Sequence, residues 1–306
     1  MRFLGAGSVK SLRAVLAGSL VFGGALTAAV LRGVPTEPAP SSVPSITTTS
    51  IRVIATTDGS VSYRSDGSGP PLVMIMGLGA SQDAWPPDLV NALAIDHRVI
   101  IFDNGGIGRT AMPHGTLTIS AMADQTAALI TALHLGQPAV LGWSMGGMIA
   151  QALAMLHPAH VSRLVLAATF AGDGTATPIP AGSAKLSTAQ QLFPADQVAA
   201  QFPAYVKATR SYPHAYIHSS KTVLDAQDRA IRSWVVGTDP GGHGSIKVPT
   251  LIGDGAEDVV TLPVNSSRIA KSIPGALLHI YPDAGHGFLI QDAKDWSARV
   301  NAFLAP

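Results

Sequence analysis

The sequence predicts an α/β fold, a mainly parallel sheet with helices on both faces, and three observations predict it. Strand-length segments rich in apolar residues recur at 72–76, 99–102, 161–168 and 249–253, the first two as continuous apolar runs. Such runs mark strands buried on both faces. Helical spacing of apolar residues is found between and after them, at 119–135, 264–272 and 288–304, and alternating strands and helices form a parallel sheet held between helix layers. The third observation is one stretch, Val140-Leu141-Gly142-Trp143-Ser144-Met145-Gly146-Gly147-Met148, where a strand-like run turns at glycine and continues as a helix.

Composition narrows the classes. With 306 residues the chain makes one large domain or two ordinary ones. It is 47% hydrophobic and 13% charged with a net charge of +1, and it has no basic cluster or stripe, so no nucleic-acid partner is expected. The absence of cysteine removes disulfides, thiolate metal sites, a cysteine nucleophile and a lipid-modified cysteine together. Neither an internal repeat nor a heptad pattern is present.

Residues 1–45 read as an export signal or membrane anchor followed by a linker. Arg2, Lys10 and Arg13 precede an uncharged, mostly apolar run at 14–31, and Pro35, Pro38, Pro40, Ser41, Ser42 and Pro44 follow it. Thr27-Ala28-Ala29 offers a small-residue cleavage site. Cleavage and retention, with membrane attachment through 14–31, stay open. Either way the N-terminal charges keep that end in the cytoplasm and place the body, residues 46–306, outside.

The body opens with a hairpin, 47–56 and 61–64, around Asp58-Gly59. Turn residues at 66–71 lead into the buried strand 72–76, and a second buried strand, 99–102, ends at Asp103. The helix at 119–135 has Ser120 and Asp124 near its start. The central stretch and the strand 161–168 follow. From about 170 to 247 the alternation stops, Gly, Pro, Thr and Ala dominate, and helical pieces lie near 195–208 and 224–234. This reads as an inserted cap whose apolar side chains, with Tyr212 and Trp234 the ones to test, cover Ser144 and set substrate size. Strand 249–253, helix 264–272, strand 277–281 and a single closing helix 288–304 complete the chain.

Gly142-Trp143-Ser144-Met145-Gly146 is a G-x-S-x-G pattern between a strand and a helix, the context of a nucleophile elbow. The serine hydroxyl stands clear of the sheet edge on a tight turn. Gly142 and Gly146 leave out Cβ atoms that would collide as strand and helix cross. The helix start directs N–H groups and a partial positive charge at an oxyanion.

On these residues the chain resembles the α/β-hydrolase superfamily over 50–304. The resemblance implies an eight-stranded, mainly parallel sheet and a Ser, then Asp or Glu, then His order. It assigns Ser144 as nucleophile. His286, in Asp283-Ala284-Gly285-His286-Gly287-Phe288, stands where the family's histidine does. The acid is Asp258, in Gly255-Ala256-Glu257-Asp258 ahead of Pro263, with Asp254 the rival and Glu257 third. The oxyanion donors are the amides of Met145 and Leu78. Family members often carry His-Gly before the second donor, and here Met76 replaces that histidine, which leaves open how the loop is braced. The turn after Asp103, with Gly105 where relatives carry arginine, is assigned no catalysis.

The implied activity is a serine carboxylesterase needing no metal or organic cofactor. The apolar side chains of Trp85, Leu78, Met145 and Trp143 favour a small apolar ester. Cofactor-free perhydrolysis (haloperoxidase-like) and carbon–carbon bond hydrolysis are the alternatives, and a non-catalytic binding protein of the same fold is the rival from another class. His214, His218 and His243 would be tested first if the cap supplied a catalytic group.

Overall fold

The computed structural model of the chain describes residues 44–213, 219–242 and 244–306. The export segment apart from its last two residues, and His214, His218 and His243, lie outside the described residues. Among the described residues no helix is long and apolar enough to cross a membrane.

Eight strands form one sheet: β1 (Arg52–Thr56), β2 (Gly59–Asp66), β3 (Pro71–Ile75), β4 (Arg98–Phe102), β5 (Ala139–Trp143), β6 (Arg163–Ala167), β7 (Thr250–Gly255) and β8 (Leu277–Tyr281). Their spatial order is β1-β2-β4-β3-β5-β6-β7-β8. The β1–β2 and β2–β4 pairings are antiparallel, and every other pairing is parallel. The helices are α1 (Pro87–Ala94), α2 (Ile119–Ala132), α3 (Met145–Leu156), α4 (Thr188–Leu192), α5 (Val198–Thr209), α6 (Lys221–Val235), α7 (Pro263–Ser272), α8 (Phe288–Gln291) and α9 (Ala293–Leu304).

Alternate side chains of the central strands feed two separate cores, as a period of two demands. Val73 and Ile75 pack with α2, α3 and α6 on one face. Leu72 and Met74 pack with α1, α8 and α9 on the other. Burial on both faces explains why these strands are unbroken apolar runs. The exceptions are the two edge strands, where Leu277 and Leu278 of β8 and Val53 of β1 are exposed.

Several boundaries differ from the expectation. The first strand begins at Arg52 and not Thr47, because Ile46–Thr48 is a 3-10 turn. There the hydroxyls of Thr48 and Thr49 donate back to the carbonyls of Ser45 and Ile46, each at 2.8 Å, a local bond that competes with strand pairing. Helix α1 has little trace in the sequence, since it has only eight residues and begins at Pro87 with Pro86 as its N-cap. Helix α2 stops at Ala132, and His134 then takes a φ of 52°. Its N-cap is Thr118, whose side chain accepts from Ala121 N–H at 3.0 Å. The closing helix is two helices, parted at Asp292. Strand β7 runs two residues past Gly253, pairing Asp254 with Ile280 and Gly255 with Tyr281.

Between β6 and β7 the described chain is helical, with α4, α5 and α6 and no strand. Trp234 and Tyr212 hold this segment to the body. Trp234 is fully buried against Gly172 and donates from Nε1 to Phe170 O at 3.0 Å. Tyr212 donates to Trp85 O at 3.0 Å, and its ring lies 5.6 Å from the Arg64 guanidinium. Arg64, fully buried, pairs with Asp83 at 2.8 Å and also donates to Pro213 O at 2.7 Å and to Thr49 O. One cation thus ties β2, the loop after β3, the N-terminal turn and the inserted segment together. Both aromatic side chains are therefore anchors, and neither is free to face a substrate.

Candidate active site

The site is built at the carboxyl ends of β3, β5, β7 and β8, the edge where open α/β sheets bind ligands. The turn from β5 to α3 places Ser144 at φ 57°, ψ −121°, a conformation a non-glycine residue holds only under strain. A Cβ on Gly142 would overlap the carbonyl of Gly146, and one on Gly146 would overlap the carbonyl of Ile75 at the end of β3. The second glycine therefore serves the approach of α3 to β3, and not the crossing of β5 expected from sequence. The backbone of Ser144 is pinned by its N–H to Ala167 O at 2.9 Å and by the Thr169 hydroxyl to its own carbonyl at 2.8 Å. Its Oγ makes no hydrogen bond among the described residues.

His286 lies in the turn after β8, buried, with Nδ1 2.7 Å from Asp258 Oδ2. Trp143, the residue before Ser144, donates from its indole to His286 O at 3.1 Å, and the two rings lie 5.8 Å apart. This bond ties the histidine turn to the elbow. Because Nδ1 is committed to a carboxylate, Nε2 is the nitrogen left with a lone pair in the neutral ring.

Asp258 accepts three further hydrogen bonds: from Val260 N–H at 2.6 Å, Thr261 N–H at 2.9 Å and the Thr261 hydroxyl at 2.6 Å. Burial pushes this carboxyl up, but the charge and hydrogen bond of His286, with the Thr261 contacts, outweigh it and hold it below the ordinary carboxylate value. Asp254 is as deeply buried and does not reach His286. It accepts from Gly255 N–H at 2.8 Å and from the Ser266 hydroxyl at 2.6 Å. Burial first, then the neighbouring Asp258 charge, push its carboxyl well above the ordinary value, which favours the neutral acid. Glu257 is exposed. Of the three carboxylates, only Asp258 meets the imidazole.

Met145 opens α3, so its N–H is one of those a helix leaves without an internal acceptor. The loop carrying Leu78 runs beside the elbow, and a Cβ on Gly77 would come to 3.2 Å of Ser144 Cβ. Asn104 Nδ2 donates to Met76 O at 2.7 Å. Asp103 accepts from Gln82 N–H at 2.7 Å and from the Ser62 hydroxyl at 2.6 Å. The turn after Asp103 thereby does the bracing that Met76 does not. Of the four apolar side chains expected to favour an apolar acyl group, Trp85, Trp143 and Met145 are buried and Leu78 is 43% exposed. Leu78 is therefore the one presented at the surface.

Sequence reasoning missed Thr261 and Asn104. A D-x-x-T turn signal pointed to Thr261, since a threonine three residues after an aspartate returns its N–H and hydroxyl to the carboxylate. Nothing local pointed to Asn104. Among the described residues no group of three or more His, Asp or Glu is placed to hold a metal ion.

The chain is similar to several known proteins. A family model described as "alpha/beta hydrolase fold" matches residues 70–204. The protein named "Putative non-heme bromoperoxidase BpoC" of Mycobacterium tuberculosis is 32% identical over 254 residues, covering 74% of this chain and 90% of its own. An alpha/beta hydrolase fold protein from Chitinophaga pinensis superposes with a TM-score of 0.74 at 25% identity, over 85% of this chain and 98% of its own. The enol-lactonase from Burkholderia xenovorans superposes at 0.66 and 25% identity, over 83% and 99%.

Proposed function

The chain belongs to the α/β-hydrolase fold family, and from that premise we propose that it hydrolyses small carboxylic esters, lactones among them, through Ser144, His286 and Asp258. The observation that carries the reading is the 2.7 Å bond from His286 Nδ1 to an ionised, four-donor Asp258, on a turn tied by Trp143 to the strained serine. Ser144 Oγ attacks the acyl carbon and its proton passes to His286 Nε2. Asp258 stabilises the imidazolium, and the amides of Leu78 and Met145 receive the oxyanion. Collapse expels the alcohol, which takes the proton. Water, deprotonated by the same nitrogen, then releases the acid and frees the serine. The similarity to the lactonase supports esters in cyclic form as well.

The experiment is labelling of the full chain with a fluorophosphonate, mapped by peptide mass, beside a p-nitrophenyl ester panel from acetate to laurate. Labelling at Ser144 and a preference for short to medium chains are expected, the latter because the inserted segment serves as a cap over a modest acyl pocket. A folded protein that neither labels nor turns over any ester overturns the proposal. Hydrogen peroxide in the assay reads the perhydrolase alternative, through peracid formed when peroxide replaces water at the acyl-enzyme.

We infer further that residues 1–45 carry the catalytic body across the cytoplasmic membrane, from Arg2, Lys10 and Arg13 ahead of the apolar run at 14–31. A periplasm-dependent reporter fused after residue 45 is expected to be active. Recovery of the native protein in the soluble cytoplasm alone refutes export.

A further inference from the structure

The loop bearing Leu78 is clamped from two sides. On the body side, Asn104 holds the carbonyl of Met76. On the other, the inserted segment holds both polar groups of Gly79: the N–H donates to Gln227 Oε1 at 2.8 Å, and the carbonyl accepts from the Ser219 hydroxyl at 2.6 Å. Leu224, three residues before Gln227 on α6, packs so closely that a Cβ on Gly79 would overlap its Cδ2. The Leu78 amide lies between the two clamps.

Gln227 is not explained by packing. It is fully buried, and its Nε2 has no hydrogen-bond partner among the described residues. Its orientation is set, because Gly79 N–H is a donor and requires the oxygen. A buried amide with its donors unused is costly, and leucine or methionine would fill the space without that cost. What the glutamine secures is the Gly79 peptide.

We propose that Gln227, assisted by Ser219, is a positioning residue of the oxyanion hole, so that α6 sets the aim of the Leu78 amide and the inserted segment contributes to the rate as well as to substrate size. The inference rests on Ser144 as nucleophile and Leu78 as oxyanion donor. A donor lowers the barrier only if it already points at the site where negative charge develops, and a displacement on the order of 1 Å is enough to lose much of the effect.

The test is Gln227→Met with Ser219→Ala beside it, in the full chain. Gln227→Met is expected to lower kcat on p-nitrophenyl butyrate by about 10- to 100-fold, less than outright loss of a donor, with KM within about threefold. The Ki of an aryl trifluoromethyl ketone, whose adduct places an oxyanion in the same hole, rises by the factor that kcat/KM falls. Ser219→Ala shows the same linked change at smaller size, and the double variant loses less than the product of the two, since both act on Gly79. A wild-type kcat in Gln227→Met, or a lower kcat with an unchanged ketone Ki, overturns the proposal. Should Gln227→Met fail to fold, Ser219→Ala decides alone: linked shifts support the proposal and no shift overturns it. An active Ser144→Ala removes the parent reading, whereas an inactive Ser144→Ala beside an unaffected Gln227→Met removes only this inference.

Discussion

Ser144→Ala is expected to lose ester turnover by about 10³-fold or more, while its melting temperature stays within about 2 °C of the wild type. The two parts have separate causes. Activity falls because the attacking atom is gone and His286 Nε2 has no hydroxyl to deprotonate. Stability is retained because Ser144 Oγ makes no hydrogen bond among the described residues, while the backbone bonds to Ala167 and Thr169 do not involve the side chain. Alanine also carries the same Cβ at the same φ of 57°, so the strain is unchanged. Ser144→Gly isolates that strain. Glycine relieves about 1–3 kcal/mol of it against roughly 0.5–1 kcal/mol of added backbone entropy cost, so it is expected to melt above Ser144→Ala and to be equally inactive. Thermal melts and p-nitrophenyl butyrate kinetics on the three proteins settle both points. Wild-type turnover in Ser144→Ala would end the mechanism.

Asp258→Asn is expected to lower kcat by about 10⁴-fold with little change in KM, and Asp254→Asn to stay within about tenfold of wild type. Both oxygens of Asp258 accept, from Val260 and Thr261 on one side and from Thr261 and His286 on the other. An asparagine must turn its NH₂ towards one of these donor sets. Facing His286, it forces the ring to present a lone pair at Nδ1 and carry its proton on Nε2, the wrong nitrogen for taking one from serine. The pH dependence of stability separates the two aspartates by sign. The folded Asp258 titrates below its ordinary value, so its contribution is present above the ordinary carboxylate range and is lost as pH falls through the lowered value. The folded Asp254 titrates well above its ordinary value, so its contribution is complete below that range and is lost as pH rises through the raised value. Asp254→Asn is accordingly expected to hold its melting temperature better than wild type as pH rises above the ordinary carboxylate range, and Asp258→Asn to lose the stability that wild type has above about pH 4. Melts across that range check the signs. If Asp254→Asn is the more damaging to kcat, the acid has been misassigned.

Features that neighbours along the chain decide can be read without the fold. Buried strands were legible as apolar runs because a strand covered on both faces has no polar side to show. The elbow was legible because a tight strand-to-helix turn demands small residues within five positions, and His286 because small neighbours surround it at a strand end. Asp258 stood ahead of Asp254 only through resemblance. The physical reason came from the sheet, where β7 pairs Asp254 with Ile280 and so keeps it inside the strand, while Asp258 lies on the loop that reaches the imidazole. The division of the closing helix at Asp292 was likewise not visible in its apolar spacing. Only the tertiary structure brought Gln227 to Gly79 and Asn104 to Met76, and only it turned Trp234 and Tyr212 inwards as anchors. Those contacts join segments far apart in the chain, and a polar side chain leaves no periodic trace of a partner it meets only when the helices and sheet are packed.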